Sequence, residues 1–373
     1  MIAFGPWSTI LGLGVAFGLV VALALLGCRQ NRSANRLLAA LLVLIALRLM
    51  PYVLGYAGFY DAYRWLSFAP FDLALGIGPL LYLHVARLTT AALEDGWYWH
   101  LLPMLLQFLY YLAVFLTPLD FKNAWNASVH VPFVNPLENL AEVLSIGCYL
   151  GLAWRRHTDY QRFINAHLSH TDPFALRWQR NVIMAMALML LIWAGYAIAT
   201  AALELNYFQR FPLYLGLTAL VYYLGLEGWR HAEQSYPLPA PVEVLDETAI
   251  EPGRDWRAQA EIWLKATRES ARFRDPELNL ERLAKHLGTN TAYLSRALNE
   301  GLGMSFSEAI AKLRVAHICA ELDSGNRADL LELALEAGFS AKSSFNRVFK
   351  AQSGQTPSQY RQRASQSLKN SSH

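Results

Sequence analysis

Between residues 1 and 230 the chain carries only 14 Lys/Arg and 11 Asp/Glu, and these gather between seven apolar runs: roughly 4–27, 37–60, 68–87, 97–118, 136–154, 182–203 and 211–227. A run of about 20 apolar residues is the length a helix needs to cross some 30 Å of hydrocarbon. In hydrocarbon the backbone must satisfy its own polar groups, which makes each run a helix. The expected fold is therefore all-α, a polytopic bundle of about seven transmembrane helices. With 54% hydrophobic residues the chain is not disordered, and a single soluble globule is excluded. Residues 258–373 are different, with 16 Lys/Arg and 12 Asp/Glu in half the length, a local net of +4. The overall net charge of +3 thus averages a lipid-solvated part and a water-solvated part. Three scattered cysteines, Cys28, Cys148 and Cys319, exclude a disulfide framework and a cysteine-ligated zinc site.

Cationic side chains in short loops set orientation. The loops after the first, third and fifth runs hold Arg29, Arg32, Arg36, Arg87, Arg155, Arg156, Arg162, Arg177 and Arg180, against Arg64, Lys122 and Arg210 in the alternate loops. Nine against three predicts the N-terminus outside and everything after Glu227 in the cytoplasm. Trp65, Trp97, Trp99 and Trp154 lie at run ends, as interfacial anchors do. Leu25-Leu26-Gly27-Cys28 faintly resembles a lipoprotein cleavage site. The arginines follow the apolar run instead of preceding it, the pattern of an uncleaved span.

Charges inside spans are costly, so they are paired or functional. Arg48 lies mid-span in the second run, Asp72 near the outer start of the third, and Glu138 and Glu142 one turn apart in the fifth. By depth Arg48 can reach Asp72 or Glu142. An ion pair locking helices is the first reading, a polar ligand pocket the second and a proton relay the third. His157, His167, His170 and Asp172 cluster in one loop, but their spacing fits no zinc signature, and no metal is expected.

Residues 231–254 form an acidic spacer with prolines at 237, 239 and 241. At about 3.1 Å per residue such a segment spans up to roughly 70 Å. From Asp255 the pattern becomes short amphipathic helices. Asp255–Arg272 places Ala260, Ile262, Trp263 and Ala266 at core-like spacing. Leu280–Leu287, with Asn279 as N-cap, ends at Gly288, and the next helix starts after Asn290. Leu283, Ala284, Leu287, Leu294 and Leu298 would join the two as a helix-turn-helix. Asp329-Leu-Leu-Glu332 opens a second such pair that continues from Gly338 through Phe339–Lys350. A helix over about 305–322, with Ile310, Leu313, Ala316 and Ile318 apolar, joins them.

Residues 258–365 resemble the DNA-binding domain of the AraC/XylS family of transcriptional regulators. The resemblance rests on Gly338-Phe339, Ser344-Phe345, Arg347-x-Phe349-Lys350 and Gly354-x-Thr356-Pro357-x-x-Tyr360-Arg361, with Ala284, Gly288, Tyr293-Leu294-Ser295-Arg296 and Gly303 in the first pair. Leu298-Asn299 departs from the family's usual Phe-Lys. The family fold implies two recognition helices in successive major grooves, about 34 Å apart. Matching positions put Asn290, Thr291, Ala292, Tyr293, Ser295 and Arg296 at the DNA in the first pair. In the second they are Ser340, Ala341, Lys342, Ser343, Asn346 and Arg347. Asn299, Ser344 and Lys350 match phosphate contacts, which position without reading sequence. Phe339, Phe345 and Phe349 are expected in the core.

The expectation is a membrane-embedded one-component transcriptional regulator. Its parts are a sensor bundle at 1–230, a spacer at 231–254, a double helix-turn-helix domain at 255–365 and a disordered tail at 366–373. The implied partners are double-stranded promoter DNA, the lipid bilayer, RNA polymerase, a second copy of the chain and an unidentified small-molecule or envelope signal. No cofactor is expected, and no HExxH, GxSxG, P-loop or paired-carboxylate motif marks an enzyme. The competing expectation is a transporter-like membrane protein carrying a regulatory DNA-binding module. A third is a simple anchor from which proteolysis at the spacer frees the DNA-binding part.

Overall fold

The computed structural model describes residues 2–203, 206, 208–238 and 255–371, so most of the expected spacer and the last two residues of the expected tail lie outside the described residues. Every regular element among the described residues is helical, apart from one isolated bridge between Leu168 and Asn279. The chain divides into two units: Met1–Thr158 with Leu176–Ala240, and Asp159–Ala175 with Pro241–His373.

The first unit holds α1 (Pro6–Gly27), α2 (Arg32–Tyr56), α3 (Phe59–Ala62), α4 (Ile77–Thr89), α5 (Leu102–Phe115), α6 (Leu119–Trp125), most of α7 (Asn135–His167), α8 (Arg177–Leu203) and α9 (Phe211–His231). Pro6 and Pro212 stand in the first turns of α1 and α9, where the missing N–H costs nothing. α1, α2 and α9 pack through small residues: a Cβ added at Gly14 would lie 2.4 Å from Thr218 Cγ2, and one at Gly228 2.4 Å from Leu38 Cδ2. Small residues at these positions let the helix backbones approach closely. Asn35 Nδ2 donates to the Ala232 carbonyl at 2.9 Å, and Asn31 Nδ2 to that of Gln234 at 2.7 Å, joining the start of α2 to the end of α9. The outer side of α1 leaves Val20 and Leu23 64% and 69% exposed.

Among the described residues four segments are long and apolar enough to cross a membrane: Pro6–Gly27, Arg32–Tyr56, Trp97–Phe115 and one within Asp172–Thr200. The run at 68–87 departs from expectation. Phe68 has φ +62°, and helix begins only at Ala74, leaving a shorter apolar helix over Ala74–Thr89. α7 runs thirteen residues past the expected end at Trp154, to His167.

The second unit holds the last turns of α7 and the loop to Ala175, then α10 (Trp256–Glu269), α11 (Leu280–His286), α12 (Thr291–Arg296), α13 (Phe306–Asp323), α14 (Leu330–Glu336), α15 (Lys342–Ser353) and α16 (Pro357–Ser371). Two cores sit side by side in it. One gathers Ala260, Trp263, Phe273, Leu283, Ala284, Leu294, Leu298, Phe306 and Ile310. The other gathers Val315, Ile318, Leu322, Leu333, Ala334, Phe339, Phe345 and Phe349. α13 contributes to both. Two expected core positions are corrected: Ile262 and Ala316 are exposed, because Ala260, Trp263 and Thr267 define the buried stripe of α10, and Leu313, Arg314 and Ile318 that of α13. α16 continues to Ser371, so residues 366–371 are helical where a disordered tail was expected.

Candidate nucleic-acid interface

Local capping builds both helix-turn-helix pairs. Asn279 Oδ1 accepts the Arg282 N–H at 2.8 Å to start α11, and Asn290 Oδ1 accepts the Tyr293 N–H at 2.8 Å to start α12. Between them the chain turns at Gly288, with φ +66°. In the second pair Asp329 Oδ1 accepts the Leu331 N–H at 2.7 Å to start α14. Gly338, at φ +94°, closes that helix against the turn leading to α15. The joining helix α13 starts on a full capping box formed by Ser305 and Glu308.

α15 is cleanly two-sided. Phe345 and Phe349 point into the core, as their spacing predicts, and their rings lie 5.5 Å apart. Lys342, Ser343, Asn346, Arg347 and Lys350 share the exposed face, with Ser340 exposed just before the helix and Ala341 half-buried at its N-cap. Ser344 does not join them: it is buried. It lines a polar cavity of about 230 Å³ beside Arg347, shared with Ser169, His170 and Thr171.

The first pair presents a weaker face. Ala292 and Asn299 are exposed, while Thr291, Tyr293, Ser295 and Arg296 are half-buried. Arg296 is drawn back onto its own domain by Glu300 at 2.9 Å and by the Trp256 ring, 5.9 Å from its guanidinium carbon. Tyr293 stacks near Trp256 as well. Asn299 Nδ2 donates to Ser295 Oγ at 3.2 Å, so the two sit on one exposed edge. Leu298, where the family's aromatic is absent, is fully buried and fills the core place itself.

Sequence reasoning missed Arg314. It is 1% exposed, and its guanidinium donates to the carbonyls of Phe273 and Asp275, both at 2.8 Å, and to Ser169 Oγ at 3.2 Å. Burial pushes its pKa down to about 10, partly opposed by the Asp275 carboxylate, so it stays charged at neutral pH. The signal available in the sequence was an arginine in register with the apolar stripe of the joining helix.

The histidines expected in one loop scatter, His157 and His167 lying in α7 and only His170 beyond it. His157 meets Gln179, His167 the carbonyl of Phe163, and His170 the hydroxyl of Ser340. Among the described residues no group of three His, Cys, Asp or Glu side chains could hold a metal.

In the first unit Arg48 bridges Asp72 at 2.8 Å and Glu142 at 2.9 Å at once. Glu138 is held apart from them and accepts the Tyr111 hydroxyl at 2.7 Å. The cavity beside Arg48 and Glu142, bounded by Trp193, Met186 and Tyr214, has a volume of about 60 Å³. A cavity of that size suits water better than an organic ligand.

Residues 283–363 match the family model described as a helix-turn-helix domain, and this is a domain of the AraC type. Two similar proteins are uncharacterized HTH-type transcriptional regulators of Staphylococcus aureus, one from strain MSSA476. They are 34% and 36% identical over 85 and 86 residues, 23% of this chain and 11% of theirs. A third, the HTH-type transcriptional activator AarP of Providencia stuartii, is 33% identical over 84 residues, 22% of this chain and 62% of its own length. The chain thus spans about a tenth of the first relatives' length. Each of these relatives is named as a transcriptional regulator or activator, not an enzyme. No solved structure matches the chain.

Proposed function

We propose that this chain is a membrane-embedded transcriptional regulator that binds promoter DNA in a sequence-specific manner. The observation that carries the reading is the two-sided α15 within a double helix-turn-helix, its aromatic side closing a core and Lys342, Ser343, Asn346, Arg347 and Lys350 on its exposed side. An arginine fork fits guanine O6 and N7, and an asparagine amide fits adenine, so Arg347 and Asn346 are the base readers. Lys342 and Lys350 neutralise phosphates. In the first pair Ala292, Ser295 and Asn299 are presented most freely, and Arg296 reaches DNA only by leaving Glu300.

The apolar unit spans the inner membrane, with about seven crossings and the N-terminus outside. Four long apolar helices, the exposed leucines and valines of α1, and the arginine bias of alternate loops support this. The unit senses an envelope or small-molecule signal and passes it to a cytoplasmic DNA-binding domain that recruits RNA polymerase, as a monomer or a homodimer. Arg48 pairs with Asp72 and Glu142 at once, which makes the three a lock between helices more than a transport path.

The test is a gel shift at fixed salt with full-length protein in detergent, using duplex selected from random sequence. Arg347→Ala weakens binding to the selected duplex about 5- to 150-fold, the value of one bidentate base contact at about 1–3 kcal/mol. Binding to random duplex falls by much less. Equal losses on both duplexes would remove Arg347 from base reading.

A further inference from the structure

The second unit contains a stretch that a DNA-binding domain does not need. Residues 159–175, the last turns of α7 and the loop that follows them toward α8, lie within it. The segment is fixed at one end by backbone contacts: Leu168 bridges Asn279, and the Ser169 N–H donates to the Leu278 carbonyl at 3.1 Å. Ser169 is itself buried, and its hydroxyl and carbonyl oxygens complete the set of acceptors around the Arg314 guanidinium. A buried cation that gives up acceptors loses free energy, so Arg314 holds the segment in place. From that anchor the chain reaches the second helix-turn-helix. His170 hydrogen-bonds the Ser340 hydroxyl at 2.8 Å, and both carboxylate oxygens of Asp172 accept from Arg347 Nη2, at 2.8 and 3.0 Å.

We infer that residues 168–172 are an internal ligand of the DNA-reading face, with Asp172 and nucleic acid competing for Arg347. The inference rests on the proposed DNA-binding role. A carboxylate offers a guanidinium what a phosphate or a guanine edge offers, two acceptors for one planar donor group. Arg347 cannot satisfy both with the same nitrogens. Ser340 stands in the same position, its hydroxyl committed to His170. The segment therefore has to leave the face of α15 before α15 can enter a major groove. Chain continuity with α7 and α8 gives a signal acting on those helices a direct route to that step.

The competition is modest by design of the pair. Arg347 remains more than half exposed while the Asp172 carboxylate is largely covered, so water still screens the contact from the arginine side. Removing it should tighten DNA binding by about two- to fivefold, the range of exposed pairs. Asp172→Ala in full-length protein is compared with wild type on selected and on random duplex. Asp159→Ala, which removes a charge from the same segment where it pairs with Arg162, controls for net charge. Hydrogen exchange of a peptide covering 163–174 is followed with and without selected duplex, since the Ser169 amide is bonded only while the segment is docked. The expected result is tighter binding by Asp172→Ala, no change with Asp159→Ala, and faster exchange over 163–174 when DNA is added. Equal affinities with unchanged exchange would overturn the inference and leave DNA binding standing. Equal tightening by both variants would reduce it to bulk charge and overturn it as well. Failure of wild type to bind any duplex would overturn the DNA-binding role and the inference together.

Discussion

Gly338 and Gly354 offer a controlled test of how the second helix-turn-helix is built. Both close a helix in the left-handed region, at φ +94° and +74°, and both donate a backbone hydrogen bond to the preceding turn, at 3.0 Å. An alanine at either site pays about 1–2 kcal/mol for that conformation and regains about 0.4–1 kcal/mol by stiffening the unfolded chain. Beyond this the sites differ. A Cβ at Gly354 meets nothing within 4 Å, whereas one at Gly338 would stand 2.6 Å from the Arg274 carbonyl oxygen and 3.0 Å from Arg314 Nε. That oxygen belongs to backbone pinned beside the buried Arg314, so it cannot step aside cheaply. Overpacking of this kind adds about 1–3 kcal/mol. The net costs are then about 0–1.6 kcal/mol for Gly354→Ala and about 1–4.6 kcal/mol for Gly338→Ala, which differ by the overpacking of about 1–3 kcal/mol. Hydrogen exchange over α13 and α15 in the full-length protein reads these as lost protection, tenfold per 1.4 kcal/mol. Gly354→Ala should lower protection by up to about 14-fold, and Gly338→Ala by a further factor of about 5 to 150. Equal losses would refute the close wall at Gly338.

Two further outcomes follow from the same packing arguments. Arg48→Met leaves Asp72 and Glu142 facing apolar helices without a cation and should cost about 3–5 kcal/mol, seen as a lower Tm in detergent; adding Glu142→Gln should recover part of it. Leu298→Phe restores the family's aromatic but finds its site already filled, so protection in α12 should fall by the equivalent of about 1–3 kcal/mol.

The helix-turn-helix pairs were legible because their signals are local. Asn279, Asn290 and Asp329 cap in place, Gly288 and Gly338 turn where no other residue turns cheaply, and the Phe345/Phe349 spacing can face a core only from a helix. The Arg48 partners were legible from depth alone. What escaped was set by tertiary contact. Ser344 matches a family contact position, yet its register on α15 turns it inward. Arg314 breaks an apolar stripe and is tolerated only because carbonyls 40 residues away converge on it. The irregular chain from Phe68 to Leu73 looks helical by hydropathy, which carries no information about where a helix starts. Docking of residues 168–172 depends on Ser169 and Asp172 meeting partners more than 100 residues on, beyond any periodic pattern.

The central claim is that two linked helix-turn-helix pairs read one face of duplex DNA. Selection from a random duplex library by the full-length protein in detergent, followed by sequencing of the retained pool, tests it most directly. The account predicts two short enriched blocks whose centres lie about 10 base pairs apart, one helical turn, with the block read by α15 the more sharply specified. A pool with no enrichment, or with a single block and random sequence one turn away, would contradict it.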